Sequence, residues 1–532
     1  MPSCQSASTV CVGGSVFECV QGQVGREIDA CDQACSLGRC TTAACAAAEQ
    51  SDAARGCLFY AVQMDNIDSD DFKKMLLLAT NASESEPATV AVEERGLDGW
   101  DMIALDVAPP RGASRFRVAL PAREAGITPR GALRISSDLP IMAAQIISDD
   151  GDGTSMSSSG TVLLPAQALG TSHLALTFLE SPSVASAAAL GSRGGAGVIA
   201  IVGTVDGTNV HWTSSSPALV SSDPQPLPAM AHYDTVLNDG DVLQVFSSGG
   251  DLTGSEISSD RPVAVLSGNI FTTYGNEPSG FNGGDMAVEQ LPPTANWSTT
   301  YIGARLAPEA GCDAFFGPDH GYWQLLASQD DTTVTLSPSP GSVLDLQSGV
   351  VFKNDTTFGM KRGQSRIFST YPDPDPNADP NAALPAGPAT PTGDFVVVAT
   401  HPVLLAQWMD CQPSLSFGVD ARFGDGDVVM AFPPGFEQEV LITRRKGAPV
   451  QFDQETLPDS LFRSASVDGA FEVARLEAKD LGQCLDTLEG CQHVVSGLQF
   501  GASWRGMDIV CSYALTVPPR NICVLPAAGC VP

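Results

Sequence analysis

A chain of 532 residues with 43% hydrophobic and only 17% charged residues, 52 Gly and 38 Pro has the composition of a folded, turn-rich protein, which excludes a disordered or coiled-coil one. Its formal net charge of −33, with 28 Lys and Arg against 61 Asp and Glu, excludes nucleic acid and anionic membrane surfaces as partners, because both need basic side chains to neutralise phosphate. The length is enough for roughly three to four units with cores of their own.

Eight of the 15 cysteines, Cys4, Cys11, Cys19, Cys31, Cys35, Cys40, Cys45 and Cys57, fall in the first 57 residues. So small a segment needs covalent staples to hold a fold, so a head closed by four disulfides is expected, in an oxidising compartment. Zinc is the weaker reading, since the set has no C-x-x-C pair and no His. Residues 41–55 are Ala-rich and predict a short helix leading into a first strand at 56–62. Met1 is followed by neither a basic start nor an apolar core, so a signal segment is expected to have been removed, with Cys4 a candidate for a lipid or other surface tether. No run of about 18 apolar residues occurs, so no membrane-spanning helix is expected.

Three landmarks then recur in a fixed order. The first is a turn followed by an alternating strand, at residues 86–92, 206–212 and 331–336 and more faintly at 447–452. Asp-Gly and Asp-Asp-Thr open turns because short polar side chains bond their own backbone, and the β-branched alternation after them marks a half-buried strand. The second is a glycine leading into a strand, at Gly112, Gly240 and Gly363. The third is Ile-Ser-Ser-Asp-x-Pro at 135–140 and 257–262, matched by Ala399-Thr400-His401-Pro402, and each runs into an apolar stretch such as Val263-Ala264-Val265-Leu266. Proline has no N–H to give a ladder, so it is expected at the first residue of a core strand buried on both faces. His401 is read as a structural replacement for Asp138 and Asp260.

From Val90 to Pro140 is 50 residues and from Val210 to Pro262 is 52, but from Val334 to Pro402 is 68. The excess is a Pro/Asp/Ala insertion at 372–391, expected as an extended, hydrated loop. The division that follows is a Cys-rich head at 1–57, β units at 58–160, 161–280 and 281–412, and a fourth unit with a Cys-containing tail at 413–532. The fourth unit has a strand at 504–513 in the place of the motif, without its proline. The fold expected is all-β, a disulfide-rich module followed by tandem β-sandwich-like repeats. Motif spacings of 122 and 140 residues exceed a propeller blade of roughly 40–50 residues, and a propeller-like closure of the repeats is the alternative.

Between the second and third motifs, Asp285-Met286-Ala287-Val288-Glu289-Gln290-Leu291-Pro292-Pro293 leads to Trp297, and Tyr322-Trp323-Gln324-Leu325-Leu326 leads to Gln329-Asp330-Asp331-Thr332-Thr333-Val334. With Pro262-Val263-Ala264-Val265 and Ser267-Gly268-Asn269 before them, these strings resemble the IgGFc-binding protein N-terminal domain family across residues 57–515. The head resembles one that precedes this domain in exported bacterial members. The resemblance implies an exported protein. Gly284 stands where the animal members carry a cysteine, and no residues here match an Fc contact, so Fc binding is not carried over.

Catalytic signatures are sparse. There is no G-x-S-x-G elbow and no H-E-x-x-H pair among the six histidines. Asp285 and Glu289 are the carboxylate pair open to a glycan hydrolase, which needs its carboxyls about 5–10 Å apart. Four residues along a strand span about 13 Å, so only a turn or helix there would permit it. Asp149, Asp150 and Asp152 offer oxygen ligands for a structural calcium, the one cofactor envisaged, with Gly424-Asp425-Gly426-Asp427 a second acidic loop. Cys484 and Cys491 bracket a short loop and are expected to pair, as are Cys523 and Cys530 in the tail. The sequons at Asn81, Asn296 and Asn354 matter only in a glycosylating host.

The expected function is a non-enzymatic secreted or cell-surface adhesion protein that recognises an extracellular protein or glycan. The alternatives are a structural subunit of an extracellular assembly, in which edge strands pair between copies, and a glycan hydrolase. The ligand is expected on what differs between the copies: the loops after Gln145 and Asn269 and the insertion before Pro402.

Overall fold

The computed structural model describes residues 9–516 except 21, 52–53, 66–71, 122–123, 148–157, 179–194, 222–224, 273–284, 307–321, 340–342, 371–392, 410–413, 433–436, 467, 478–490 and 508–511. The described elements are strands apart from one α-helix, Ala43–Ser51, and short 3-10 turns. That helix is not long and apolar enough to cross a membrane, a statement that leaves strands aside.

In the head, Thr9–Val12, Ser15–Val20 and Gln23–Ala30 form a three-stranded meander. Disulfides join Cys11 to Cys35, Cys31 to Cys40 and Cys45 to Cys57, and Cys19 is disulfide-bonded as well. The expected stapling is therefore present, and it requires an oxidising compartment to persist. The Thr42 hydroxyl accepts from Cys45 N, which caps the helix, and donates to Asp138 O, which ties the head to the first motif.

One seven-strand pattern then recurs four times. In the first unit the strands are Gly56–Ala61, Phe72–Asn81, Ala88–Arg95, Trp100–Ala108, Gly112–Pro121, the long Leu133–Ile147 and Ser159–Leu163. The sixth strand belongs to two sheets. Its first half pairs with the first and third strands, and the third pairs with the fourth. Its second half pairs with the second and seventh, and the second pairs with the fifth. Every pair is antiparallel. The corresponding sixth strands Glu256–Thr272, Phe395–Met409 and Cys491–Met507 take partners in the same pattern. Each unit is thus a two-layered curl built on one bent strand.

The proline motif sits at the bend, not at the start of the strand as its missing N–H led one to expect. Register breaks between Ser136 and Ile141, between Ser258 and Val263, and between Val398 and Val403. Pro140, Pro262 and Pro402 lie in the stretch that leaves one sheet and enters the other, where no N–H is asked of them. A side-chain oxygen two residues earlier accepts from the backbone of the third strand. Asp138 Oδ1 accepts from Thr89 N at 2.7 Å, and Asp260 Oδ1 from Asn209 N at 2.9 Å. In the third unit the acceptor is Thr400 Oγ1, 2.9 Å from Thr333 N. Thr400, and not His401, therefore fills the aspartate position, because the bend needs an oxygen at that offset. The strand expected at 504–513 is the end of Cys491–Met507, followed by the separate strand Ser512–Thr516.

Alternate residues of the second and sixth strands enter different cores. Met75, Leu77 and Ala79 pack with Val198, Ala200 and Leu266 of the second unit, while Leu76 and Leu78 pack with Met430, Val440 and Ile442 of the fourth. Ile199 and Val265 meet Leu326 and Trp408 between the second and third units; Ile302 and Val396 meet Leu441 and Val473 between the third and fourth. This burial on both faces is why the runs are continuously apolar. The units thereby close into a ring, and their seventh strands, Ser159–Leu163, Asp285–Gln290, Ser414–Phe417 and Ser512–Thr516, touch in a cycle. A propeller is not needed to describe the units; closure is what the structure shares with that alternative.

Past the bend, polar side chains hold the connection from first to second strand. Ser267 Oγ accepts from Leu176 N and donates to Leu176 O, and the Asn269 amide does the same for Phe178; in the first unit Gln145 does so for Val62. Between them, a Cβ at Gly268 would lie 1.9 Å from Ala287 O. Gly268→Ala is therefore expected to lower stability by roughly 1–3 kcal/mol, the cost typical of overpacking. Gly359→Ala, with nothing within 4 Å of the added carbon, is its control; equal thermal midpoints for the two variants would contradict the close approach.

Candidate functional site

Asp149, Asp150 and Asp152 lie outside the described residues, as do Cys484, the side chain of Cys491, Cys523, Cys530 and the insertion 372–391. Among the described residues no group of three or more His, Cys, Asp or Glu is placed to hold a metal ion. The segment from Gly424 is no loop: it begins the strand Gly424–Phe432, and Asp427 pairs with Arg111 of the first unit at 2.8 Å. Two of the sequon asparagines are buried, Asn81 donating to Glu86 O and Ala108 O and Asn296 to Ala168 O, whereas Asn354 is exposed.

Asp285 and Glu289 occupy one strand, Asp285–Gln290, and both are buried against Ser159–Leu163. Asp285 Oδ1 accepts from Ser158 N at 2.6 Å and from Met286 N at 2.7 Å, and Glu289 Oε2 meets the Thr161 hydroxyl. Ser159 Oγ accepts from Val288 N at 2.9 Å, Thr161 Oγ1 from Gln290 N at 2.8 Å, and Gln290 Oε1 from Leu164 N at 2.6 Å. Side chains here join the last strands of the first and second units as ladder bonds join strands within a sheet. The Glu-Gln string is thus a seam between units. Burial pushes the Glu289 carboxyl well above the usual carboxylate range, with the Thr161 hydrogen bond opposing it.

Exposed apolar side chains gather instead on the fourth strand of the first unit, Trp100–Ala108. Met102, Leu105 and Val107 are 59%, 57% and 51% exposed, and Leu97 in the preceding turn is 86% exposed. The faces follow from register. Val90 and Val92 of the third strand point into the core opposite Asp106 and Ala104, whereas Thr89, Ala91 and Glu93 point outward opposite Val107, Leu105 and Met102. The pairing slips by one residue at Ile103, and that bulge brings Met102 onto the same outward face as Leu105 and Val107. The head helix Ala43–Ser51 packs on the first and sixth strands of this sheet.

The base of this hairpin is pinned. Trp100 Nε1 and Tyr60 OH donate to Asp239 of the second unit at 2.7 and 3.1 Å. Arg134, held by Glu93 through two bonds of 2.8 Å, lies 4.7 Å from the centre of the Trp100 ring. Burial raises the Asp239 pKa against those two hydrogen bonds, and burial together with the Asp239 charge pushes Tyr60 well above its ordinary value. Sequence reasoning passed over residues 100–108, although an apolar run broken by Asp101 and Asp106 was the available signal.

Residues 159–504 match the model of the family described as IgGFc binding protein. The IgGFc-binding protein of Homo sapiens is 30% identical over 163 residues, 29% of this chain and 2% of that protein's length. The chain thus spans a small fraction of that relative. A solved anti-sigma factor domain-containing protein from Clostridium clariflavum aligns with 83% of this chain and 99% of its own at 8% identity, with a TM-score of 0.11 that bears no argument about the fold.

The seam has a pH signature. An acid whose pKa is raised by folding favours the fold below its unfolded value, here 4.5, and that advantage is lost as pH rises through the folded value. Glu289→Gln, neutral at every pH and still able to meet Thr161, is expected to raise the thermal midpoint at pH 7 to 8 relative to wild type and to leave it nearly unchanged at pH 4. Parallel midpoint-against-pH curves for the two proteins would contradict a Glu289 pKa raised by burial.

Proposed function

We propose, from the premise that this chain belongs to the IgGFc-binding protein family, that it is a non-enzymatic secreted or cell-surface protein that binds an extracellular protein, with a glycan as the second class of ligand. The match over residues 159–504 carries this reading. The disulfides support an oxidising exterior. Burial of Asp285 and Glu289 in a seam removes the one carboxylate pair that the hydrolase alternative had to offer. Immunoglobulin Fc belongs to the human relative's name, and for this chain it is one extracellular protein among those to be tried. Asp149, Asp150 and Asp152 as a calcium loop, and Cys484 with Cys491 as a bridge, remain part of the proposal.

The test is an array of extracellular proteins, immunoglobulin included, and glycans, probed with the purified chain, beside a panel of polysaccharides assayed for cleavage. Saturable capture of a protein with no product released is the expected outcome. Turnover of any polysaccharide, or silence across the whole array, would overturn the proposal.

A further inference from the structure

We infer that the strand Trp100–Ala108 accepts an extended segment of a partner protein as an added β-strand, and that this segment alternates apolar with basic side chains. The inference rests on the binding function proposed above and names the chemistry of its site. The strand closes one edge of its sheet: among the described residues it pairs with Ala88–Arg95 alone, so no described strand takes up the N–H and C=O groups of its other side. An unpaired edge is a template for a further strand, with affinity from the main chain and specificity from alternate side chains.

The same position in the other units shows what a protected edge looks like. The fourth strands there are His232–Leu237, Thr356–Met360 and Glu455–Thr456, of six, five and two residues. The first turns polar His232 and Asp234 outward with a single apolar residue, Val236, the second turns Thr357 and Gly359 outward, and the third is two residues long. Trp100–Ala108 has nine residues and turns Met102, Leu105 and Val107 outward, with no lysine to block pairing.

Charge decides between a foreign segment and a second copy. On the face opposite the apolar one, Asp101 and Asp106 lie with Glu94 across the pair, and Asp98 sits in the turn, all exposed. Glu93 and Arg95 of the same hairpin are matched, to Arg134 and Asp206, but Glu94, Asp98, Asp101 and Asp106 have no ion-pair partner among the described residues. A second copy would bring the same acids to this face on a chain of net charge −33. A strand with Lys or Arg on one face and Val, Ile or Leu on the other satisfies both faces at once. The pinning of Trp100 to the second unit holds the edge in place before any partner arrives, which lowers the ordering cost of binding.

The test uses the full chain and synthetic peptides of roughly eight residues, about the length of a natural strand. One alternates Lys with Val, a second has the same charge and a central Pro, and a third replaces Lys by Glu. Fluorescence anisotropy is expected to show salt-dependent binding of the Lys/Val peptide, binding of the Pro version weaker by about tenfold or more, and none of the Glu version. Leu105→Lys, at an exposed position, is expected to weaken the Lys/Val peptide by a similar factor with an unchanged thermal midpoint; Val236→Lys, on the matching strand of the second unit, is expected not to. Equal binding of the Pro peptide, or indifference to Leu105→Lys, overturns strand addition. Concentration-dependent dimerisation that Leu105→Lys abolishes gives the edge to a second copy and overturns the partner. On the array above, a captured protein retained by Leu105→Lys defeats this inference while the binding function stands, whereas an array silent for wild type defeats the function while the peptide assay still reads the edge.

Discussion

A strand that pairs with one sheet over its first half and with another over its second must pass through a stretch where its own backbone has no ladder to join. In each of the first three units that stretch carries a proline, which has no N–H to leave unsatisfied, and an oxygen two residues earlier that binds the backbone of the neighbouring third strand. The serine before the aspartate helps by donating to the carbonyl just ahead of the proline, from Ser137 to Leu139 and from Ser259 to Arg261. With the bend satisfied, one strand can tie two layers together, and seven strands can make a curl without a separate crossover.

The second half of that strand carries the ring. Its residues alternate between the core shared with one neighbouring unit and the core shared with the other, so Ile146 and Ile147, adjacent in sequence, stabilise opposite interfaces. Burying a side chain of this size contributes roughly 1.5–3 kcal/mol, and each interface collects many. The seam of Ser159, Thr161, Asp285, Glu289 and Gln290 adds direction to this packing, because hydrogen bonds from side chain to backbone allow one register between the last strands where apolar contact alone tolerates several. A carboxyl whose ionisation is opposed by burial acts in such a place as a hydrogen-bonding strut.

Against a scaffold so uniform, departures between copies carry information. The proline bend, the strut residues and the apolar alternation recur because each unit solves the same packing problem. The fourth strand is less bound by that problem, since it lies at the edge of its sheet and in the first unit meets the shared core through Trp100, Ala104 and Ala108. There the first unit differs from the rest in length, in the apolar character of its outer face and in the unmatched acids of its other face.

Much of this was legible from the residues. Length, composition and the cysteine cluster determined an all-β chain with a stapled head, and the three landmarks located a repeat whose hairpins and long apolar strands are all present, because local turn chemistry and two-residue alternation act over a few positions. The family string at Asp285–Gln290 was legible as a likeness, and its meaning was not: whether two carboxylates catalyse or brace depends on the strand of another unit, more than 120 residues away in the chain. The place of the proline was misread for a similar reason, since a missing N–H is tolerated both at a strand's start and where a strand changes sheets, and only the pairing of both halves tells these apart. Ring closure, the role of Thr400 in place of His401, and the exposure of Met102, Leu105 and Val107 were decided by tertiary structure alone. Each depends on which surface lies opposite, and a one-dimensional pattern states how often a residue faces a side without stating what, if anything, is there.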